Sequence, residues 1–348
     1  MVRLSGRHRL TTWAQERCFL AKYILGHSLR KVAQRSVLLQ GILRAADLVC
    51  IGAPLTILGW LPADTASYWG RRLLSRLGPR LAKSRVIRSN LVLAFPDKSQ
   101  QEIDSLVTRI WGNAGAVFAE YAHLETICDR QADERLRVSV RGEIETFLKP
   151  AKPAVFVTAH QANWEMAAAA VVKCRIPLAV VFSPPDNPWF ARRLIEWRQA
   201  LGCQMLPRDD SMRPMIRAIS EGRSIGIVMD RRVDSGKPIP FFGMDKWTTI
   251  VPARLALRYG CDLVPVRVER LENSHFEVVF FPPVRPDNSE DHEIGQAIQM
   301  TTKVNQYFEQ WIRAKPQDWF CSKRLWPKRL GTTDKPESAN LNIHSNAA

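Results

Sequence analysis

From about residue 138 onward the chain alternates short apolar runs with helix-period segments, many of them closed by a glycine, and this alternation leaves few architectures open. The run Pro153-Ala-Val-Phe-Val-Thr-Ala159 predicts a buried strand, 164–172 a helix and 177–182 another strand. Helices follow at 187–201 and 211–221, ended by Gly202 and Gly222, with a strand at 224–229. A helix at 250–259 stops at Gly260, segments 262–269 and 275–281 pair as antiparallel strands, and 294–314 forms a long amphipathic helix. Strands joined through covering helices build a sheet buried on both faces, so the expected fold class is α/β: a mixed, largely parallel sheet flanked by helices. No internal repeat interrupts the pattern.

The N-terminal part has a different character. The first 44 residues carry Arg3, Arg7, Arg9, Arg17, Lys22, Arg30, Lys31, Arg35 and Arg44 against the single acid Glu16, and an apolar stretch follows at 48–61. A secretion signal would place its apolar region much closer to Met1. Taken from Ser36 the segment is long enough to span a bilayer, but Arg44 and Asp47 interrupt it and Gly52 and Pro54 weaken its second half, which favours a shallow or tilted anchor over a transmembrane helix. Residues 64–81 add Tyr68, Trp69, Leu73, Leu74 and Leu77 at helical spacing, with Arg71, Arg72, Arg76 and Arg80 between them, an interfacial amphipathic pattern. A core helix behind a solvated basic arm is the alternative. A packing helix is expected over 99–121. The organisation read from these patterns is a basic arm at 1–35, a membrane-associating helical segment at 36–81, a catalytic domain at 82–330 and a disordered tail at 331–348.

Charge and cysteine usage narrow the partners. Fifty Lys+Arg against 34 Asp+Glu leave a formal +16, which suits phospholipid head groups, nucleic acid or an acidic carrier. Nucleic-acid recognition would call for a helix-turn-helix, a zinc module or aromatics interleaved with Lys/Arg on a sheet, and the sequence has none, so no nucleic-acid partner is expected. The seven cysteines, Cys18, Cys50, Cys128, Cys174, Cys203, Cys261 and Cys321, are odd in number and never form C-x-x-C. They are expected as reduced thiols of a protein in the cytoplasm or on the cytoplasmic face of a membrane, with neither metal nor cofactor.

The junction Thr158-Ala-His160-Gln-Ala-Asn-Trp-Glu165 carries the chemistry. Five positions on one helix would set His160 and Glu165 about 140° apart, so they cannot share a helical face. With His160 at the carboxyl end of a strand and Glu165 in the first turn of the next helix, the loop can fold the carboxylate back to the ring. Glu165 would then hold the Nδ1 proton and leave Nε2 as a base facing a cleft, and strand carboxyl ends are where open α/β sheets place ligands.

The residues around this pair resemble the lysophospholipid acyltransferase superfamily, defined by H-x4-D/E, and within it the lipid A biosynthesis (late) acyltransferases, which usually read H-x-G-N-W-E. Asn163, Trp164 and Glu165 match, and Ala162 replaces the glycine. Further blocks resemble the same branch: Asn90-Leu-Val-Leu-Ala-Phe-Pro96; Trp111, Asn113 and Gly115 followed by Glu120; Asn187-Pro-Trp-Phe190 with Arg198 and Gly202; Gly222 through Asp230; Phe241-Phe-Gly243 through Pro252 to Pro265; and Trp319-x-x-x-Lys323-Arg324-x-Trp326. Together they cover residues 40 to 330.

The resemblance implies a glycerolipid acyltransferase-like fold and single-step transfer of a fatty acyl chain from acyl carrier protein to a hydroxyl of a lipid A precursor. His160 would be the general base and Glu165 its orienter. Substrate contacts fall on Asn163, Arg198, Asp230, Arg231 and Arg232, and membrane lipids are further partners. No serine nucleophile is needed for such a transfer. Asp230-Arg-Arg232 departs from the usual D-Q, and Val251 stands where a glycine commonly precedes the proline. The two arginines either bind a phosphorylated or acidic acceptor or neutralise Asp230 and Asp234. Another membrane lipid, a lysophospholipid, ornithine lipid or phosphoinositide mannoside, is the alternative acceptor; a basic membrane or nucleic-acid-binding protein without activity is the non-enzymatic alternative.

Overall fold

The computed structural model describes residues 37–129, 135–141, 152–184, 188–209, 211–287 and 292–327. The expected basic arm and polar tail lie outside the described residues. Helix α1 (Val37–Asp47) runs through a short π-turn at Leu48–Gly52 into α2 (Ala53–Gly59). Pro54 sits in the first turn of α2, where its missing N–H costs nothing. Among the described residues no helix is long and apolar enough to cross a membrane. Helix α3 (Ala63–Leu77) buries Ala66, Ser67 and Gly70 and leaves Tyr68, Trp69, Leu73 and Leu77 exposed.

Helix α4 (Lys83–Ala94) packs on the long α5 (Gln100–Glu120), which packs along α3. Helix α5 starts at a reciprocal capping box, in which the Ser99 side chain accepts from the Glu102 N–H and the Glu102 carboxylate accepts from the Ser99 N–H. α3 crosses α5 backbone to backbone. A Cβ placed on Gly115 would stand 2.1 Å from the carbonyl oxygen of Gly70, so only glycine permits this approach. A short helix, α6 (Leu124–Ile127), leads towards the sheet.

The strands are β1 (Leu136–Val140), β2 (Ala154–Thr158), β3 (Leu178–Phe182), β4 (Gln204–Pro207), β5 (Ser224–Val228), β6 (Lys237–Phe241), β7 (Met244–Thr248), β8 (Asp262–Arg270) and β9 (Phe276–Phe280). Among the described residues they form a seven-stranded sheet in the order β1-β9-β8-β2-β5-β3-β4 and a separate β6–β7 hairpin. All sheet pairings are parallel except β8 with β9. The crossovers run through α7 (Glu165–Lys173), α8 (Pro188–Arg198), α9 (Met212–Ser220) and α10 (Val251–Tyr259), and α11 (Glu293–Ala314) closes the fold. Every residue of β2 is buried, as expected of a central strand covered on both faces, and two apolar layers enclose the sheet. The architecture is therefore the mixed, largely parallel α/β sheet expected from the alternation.

Two elements go beyond the sequence reading. Strand β4 is a four-residue edge strand ending in Pro207, and proline is tolerated in a sheet at such an edge. The β6–β7 hairpin lies where a plain loop is expected. Its two-residue turn places both Phe242 (φ 54°) and Gly243 (φ 72°) in the left-handed region, the arrangement of a type I′ turn.

Candidate active site

Strands β2 and β5 run parallel with Thr158 opposite Val228. Two residues beyond that pair the register brings His160 and Asp230 together at the carboxyl edge of the sheet, where His160 Nδ1 lies 2.5 Å from Asp230 Oδ1. An ionised carboxylate only accepts, so Nδ1 carries the proton and Nε2 is the free lone pair on a ring that lines the central cleft. Burial holds the His160 pKa below its ordinary value, although Asp230 pulls the other way. Burial also opposes ionisation of Asp230, but the combined pull of His160, Lys246 and the Trp319 N–H keeps its carboxyl well below the ordinary carboxylate range.

The expected contact between Glu165 and His160 is not made. Glu165 is the first residue of α7, and its carboxylate is taken by the side chains around it. Arg198 binds both of its oxygens, with Nε 3.0 Å from Oε2 and Nη2 on Oε1. Tyr121 donates its hydroxyl over 2.8 Å and Trp164 its indole N–H over 3.0 Å. A bidentate guanidinium and two neutral donors satisfy this carboxylate where it stands, so it has no reason to turn towards the ring. Trp164 is the link between the two groups: its ring meets His160 edge to face at 5.1 Å between centroids.

Two residues expected at the substrate are engaged inside the protein instead. Asn163 is fully buried; its Nδ2 donates to Glu120 Oε2 over 2.9 Å and its Oδ1 accepts from the Glu165 N–H. Asp230 has both oxygens occupied, Oδ1 by His160 and Oδ2 by the Trp319 N–H at 2.9 Å. Glu120 in turn accepts from Ser67 on α3 and from both Nη groups of Arg270, whose Nε donates to Asn113. This buried network ties the N-terminal helices to the loop that carries His160, and it accounts for Asn113 and Glu120.

The terminal block has an equally definite place. Residues 318–322 lie across the His160 loop: Phe320 N–H donates to the His160 carbonyl over 2.8 Å, and Ala162 N–H to the Asp318 carbonyl over 2.9 Å. Asn90 holds the other side of this strap, donating to the carbonyls of Cys321 and Lys323 and accepting from the Leu325 N–H. Ala162 sits in the left-handed region at φ 49°, which explains why the resembling sequences place glycine there.

The cleft in front of His160 has a volume of about 710 Å³. Phe156, Val171, Leu178, Val180 and Phe182 are among its apolar lining residues, and Arg208, Arg231, Arg232 and Arg324 also line it. Arg198 lines it as well; although its charge is met by Glu165, its Nη1 is buried and has no hydrogen-bond partner. Arg232 pairs with Asp234 at 2.6 Å, the neutralising role weighed for it above. Burial pulls the Arg231 guanidinium below its ordinary value, with Asp230 opposing. Among the described residues no group of His, Cys, Asp and Glu could hold a metal ion, and the described cysteines are free.

A family model described as bacterial lipid A biosynthesis acyltransferase matches residues 42–328. A phosphatidylinositol mannoside acyltransferase from Mycolicibacterium smegmatis is 24% identical over 72% of this chain and 82% of its own length. The lipid A biosynthesis lauroyltransferase of Escherichia coli is 25% identical over 74% of this chain and 83% of its own. Among solved structures, the 1-acyl-sn-glycerophosphate acyltransferase of Thermotoga maritima aligns with a TM-score of 0.33 at 14% identity, covering 70% of this chain and 97% of that one.

Proposed function

The chain belongs to the bacterial lipid A biosynthesis acyltransferase family, whose chemistry is acyl transfer to lipid, and on that premise we propose that it moves a fatty acyl chain from acyl carrier protein to a hydroxyl of a lipid A precursor. The observation that carries the reading is the free Nε2 of a neutral, Asp230-held His160 at a cleft lined by apolar side chains and several arginines. His160 Nε2 takes the acceptor hydroxyl proton as that oxygen attacks the thioester carbonyl. The tetrahedral intermediate then collapses with loss of the carrier thiol, which leaves with the proton from Nε2. Asp230 keeps the tautomer and balances the imidazolium. Glu165 holds Arg198, which lines the cleft as Arg231 does.

The basic surface suits an acidic carrier, and the exposed face of α3 with Trp60, 79% exposed, suits docking on the cytoplasmic leaflet of the inner membrane. The mycobacterial relative supports a second acceptor class, the mannosylated phosphoinositides. Both readings share one test: incubate purified protein with acyl carrier protein thioesters and either a lipid A precursor or a phosphatidylinositol mannoside, and weigh the lipids by mass spectrometry. One added acyl chain on the lipid A precursor alone is expected. Acylation of the phosphoinositide alone selects the second reading, and acylation of neither overturns both. Flotation with anionic vesicles tests the membrane arm, since protein that stays with the soluble fraction contradicts it.

A further inference from the structure

Behind Asp230 lies a cation that the acyl transfer step does not use. Along β7 the burial alternates, with Asp245 and Trp247 outward and Lys246 and Thr248 inward, so Lys246 occupies a position that the strand period assigns to an apolar residue. The residue is fully buried. Its Nζ donates to the backbone carbonyl of Asp230 over 2.9 Å and stands 3.8 Å from the centroid of the Phe241 ring. An ammonium withdrawn from water is costly unless it is matched by opposite charge and hydrogen bonds, and an apolar side chain would fill the same space without that cost. The charge therefore calls for a reason, and Asp230 supplies it.

We propose that Lys246 is a positioning residue for acyl transfer: its buried ammonium fixes the Asp230 backbone and balances the Asp230 carboxylate, so that the carboxylate orients the His160 ring without drawing a proton onto it. The inference rests on His160 being the base in the function proposed above. Asp230 meets His160 from the β2 end, Trp319 from the terminal strap and Lys246 from the hairpin. Around His160 the further charges are Arg231, which opposes its protonation, and Glu165, which favours it. Around Lys246 they are Asp230 and Glu309 of α11, which favour its charge; burial nevertheless brings its pKa down to about 8, so the cation persists at neutral pH. Without it, Asp230 would face His160 less compensated, and the imidazolium would gain stability.

The test is the titration of His160 in Lys246→Met and Lys246→Gln, read from imidazole NMR signals of the full chain without substrate, together with kcat and KM against pH. Glutamine keeps a donor for the Asp230 carbonyl and removes the charge. In both variants the His160 midpoint should rise by about 0.5–1 pH unit. The acid limb of kcat/KM should move with it, a loss of about three- to tenfold below the limb, with KM changed less than about twofold. If Lys246→Met does not fold, Lys246→Gln carries the comparison. A Lys246→Gln protein with parental melting temperature and an unmoved His160 midpoint overturns the proposal. A moved midpoint with an unmoved acid limb overturns it too. The NMR midpoint requires no acceptor, so failure of the lipid A assignment leaves this result readable by itself.

Discussion

The indole N–H of Trp319 lies 2.9 Å from Oδ2 of Asp230, on the carboxylate oxygen that His160 leaves open, although 89 residues separate the two in sequence. The ring itself packs against Phe241 and Phe242 of the hairpin. Trp319→Phe keeps most of that packing and deletes the donor, leaving a buried acceptor unmet. A stability loss of about 1–3 kcal/mol is expected, with kcat falling more than KM rises. Thermal unfolding and steady-state kinetics check it; unchanged kcat would detach the terminal strap from the reaction.

The two carboxylates at the junction should separate in their effects. Glu165→Gln leaves the Arg198 guanidinium buried without its counter-charge, and breaking such a pair costs about 3–5 kcal/mol. Asp230→Asn removes the charge that stabilises the imidazolium, so turnover should fall about 100-fold or more. Denaturant midpoints and kcat measured side by side decide this. Loss of turnover in Glu165→Gln at parental stability would return Glu165 to a direct role at the ring.

Ala162 is strained at φ 49° and fully buried. A left-handed backbone costs a residue with a Cβ about 1–2 kcal/mol, whereas glycine gives up the buried methyl and gains freedom in the unfolded chain. Those terms nearly cancel, so Ala162→Gly should alter stability by less than about 1 kcal/mol. Ala162→Val, branched at Cβ in the same conformation, should unfold far more easily. Equal melting temperatures for the two variants would refute the strain argument.

The parallel strands, the glycine stops at Gly202, Gly222 and Gly260, and the junction of β2 with α7 were legible because each is written in local periodicity and turn chemistry. The hairpin escaped notice because Lys237-Pro-Ile-Pro-Phe241 carries two prolines that read as loop, and an inward lysine breaks the alternation of its partner strand. The pairing of His160 with Asp230 is not legible locally for a related reason. A spacing of five shows only local neighbours, while Asp230 arrives through strand register across 70 residues. The available signal was topological: Asp230 closes a strand predicted to lie in the same parallel sheet, at the same carboxyl edge.

Acid should act on this site in two windows. Burial lowers the His160 pKa from the ordinary value of about 6.5, so the native state holds fewer protons than the unfolded chain once pH drops below about 6.5. Stability therefore falls as pH decreases from there towards the folded value, by at most about 1.4 kcal/mol per pH unit for one proton. Asp230 is lowered as well, and its contribution, complete above about pH 4, is lost as pH falls through its folded value. For catalysis the same shift keeps His160 neutral at pH 7, and the acid limb of kcat/KM should lie below pH 6.5 or so. His160→Gln, measured by unfolding between pH 4.5 and 7, should flatten the upper window. A parental acid limb above pH 7, or an unflattened slope in His160→Gln, would show that the buried ring is not the group that titrates.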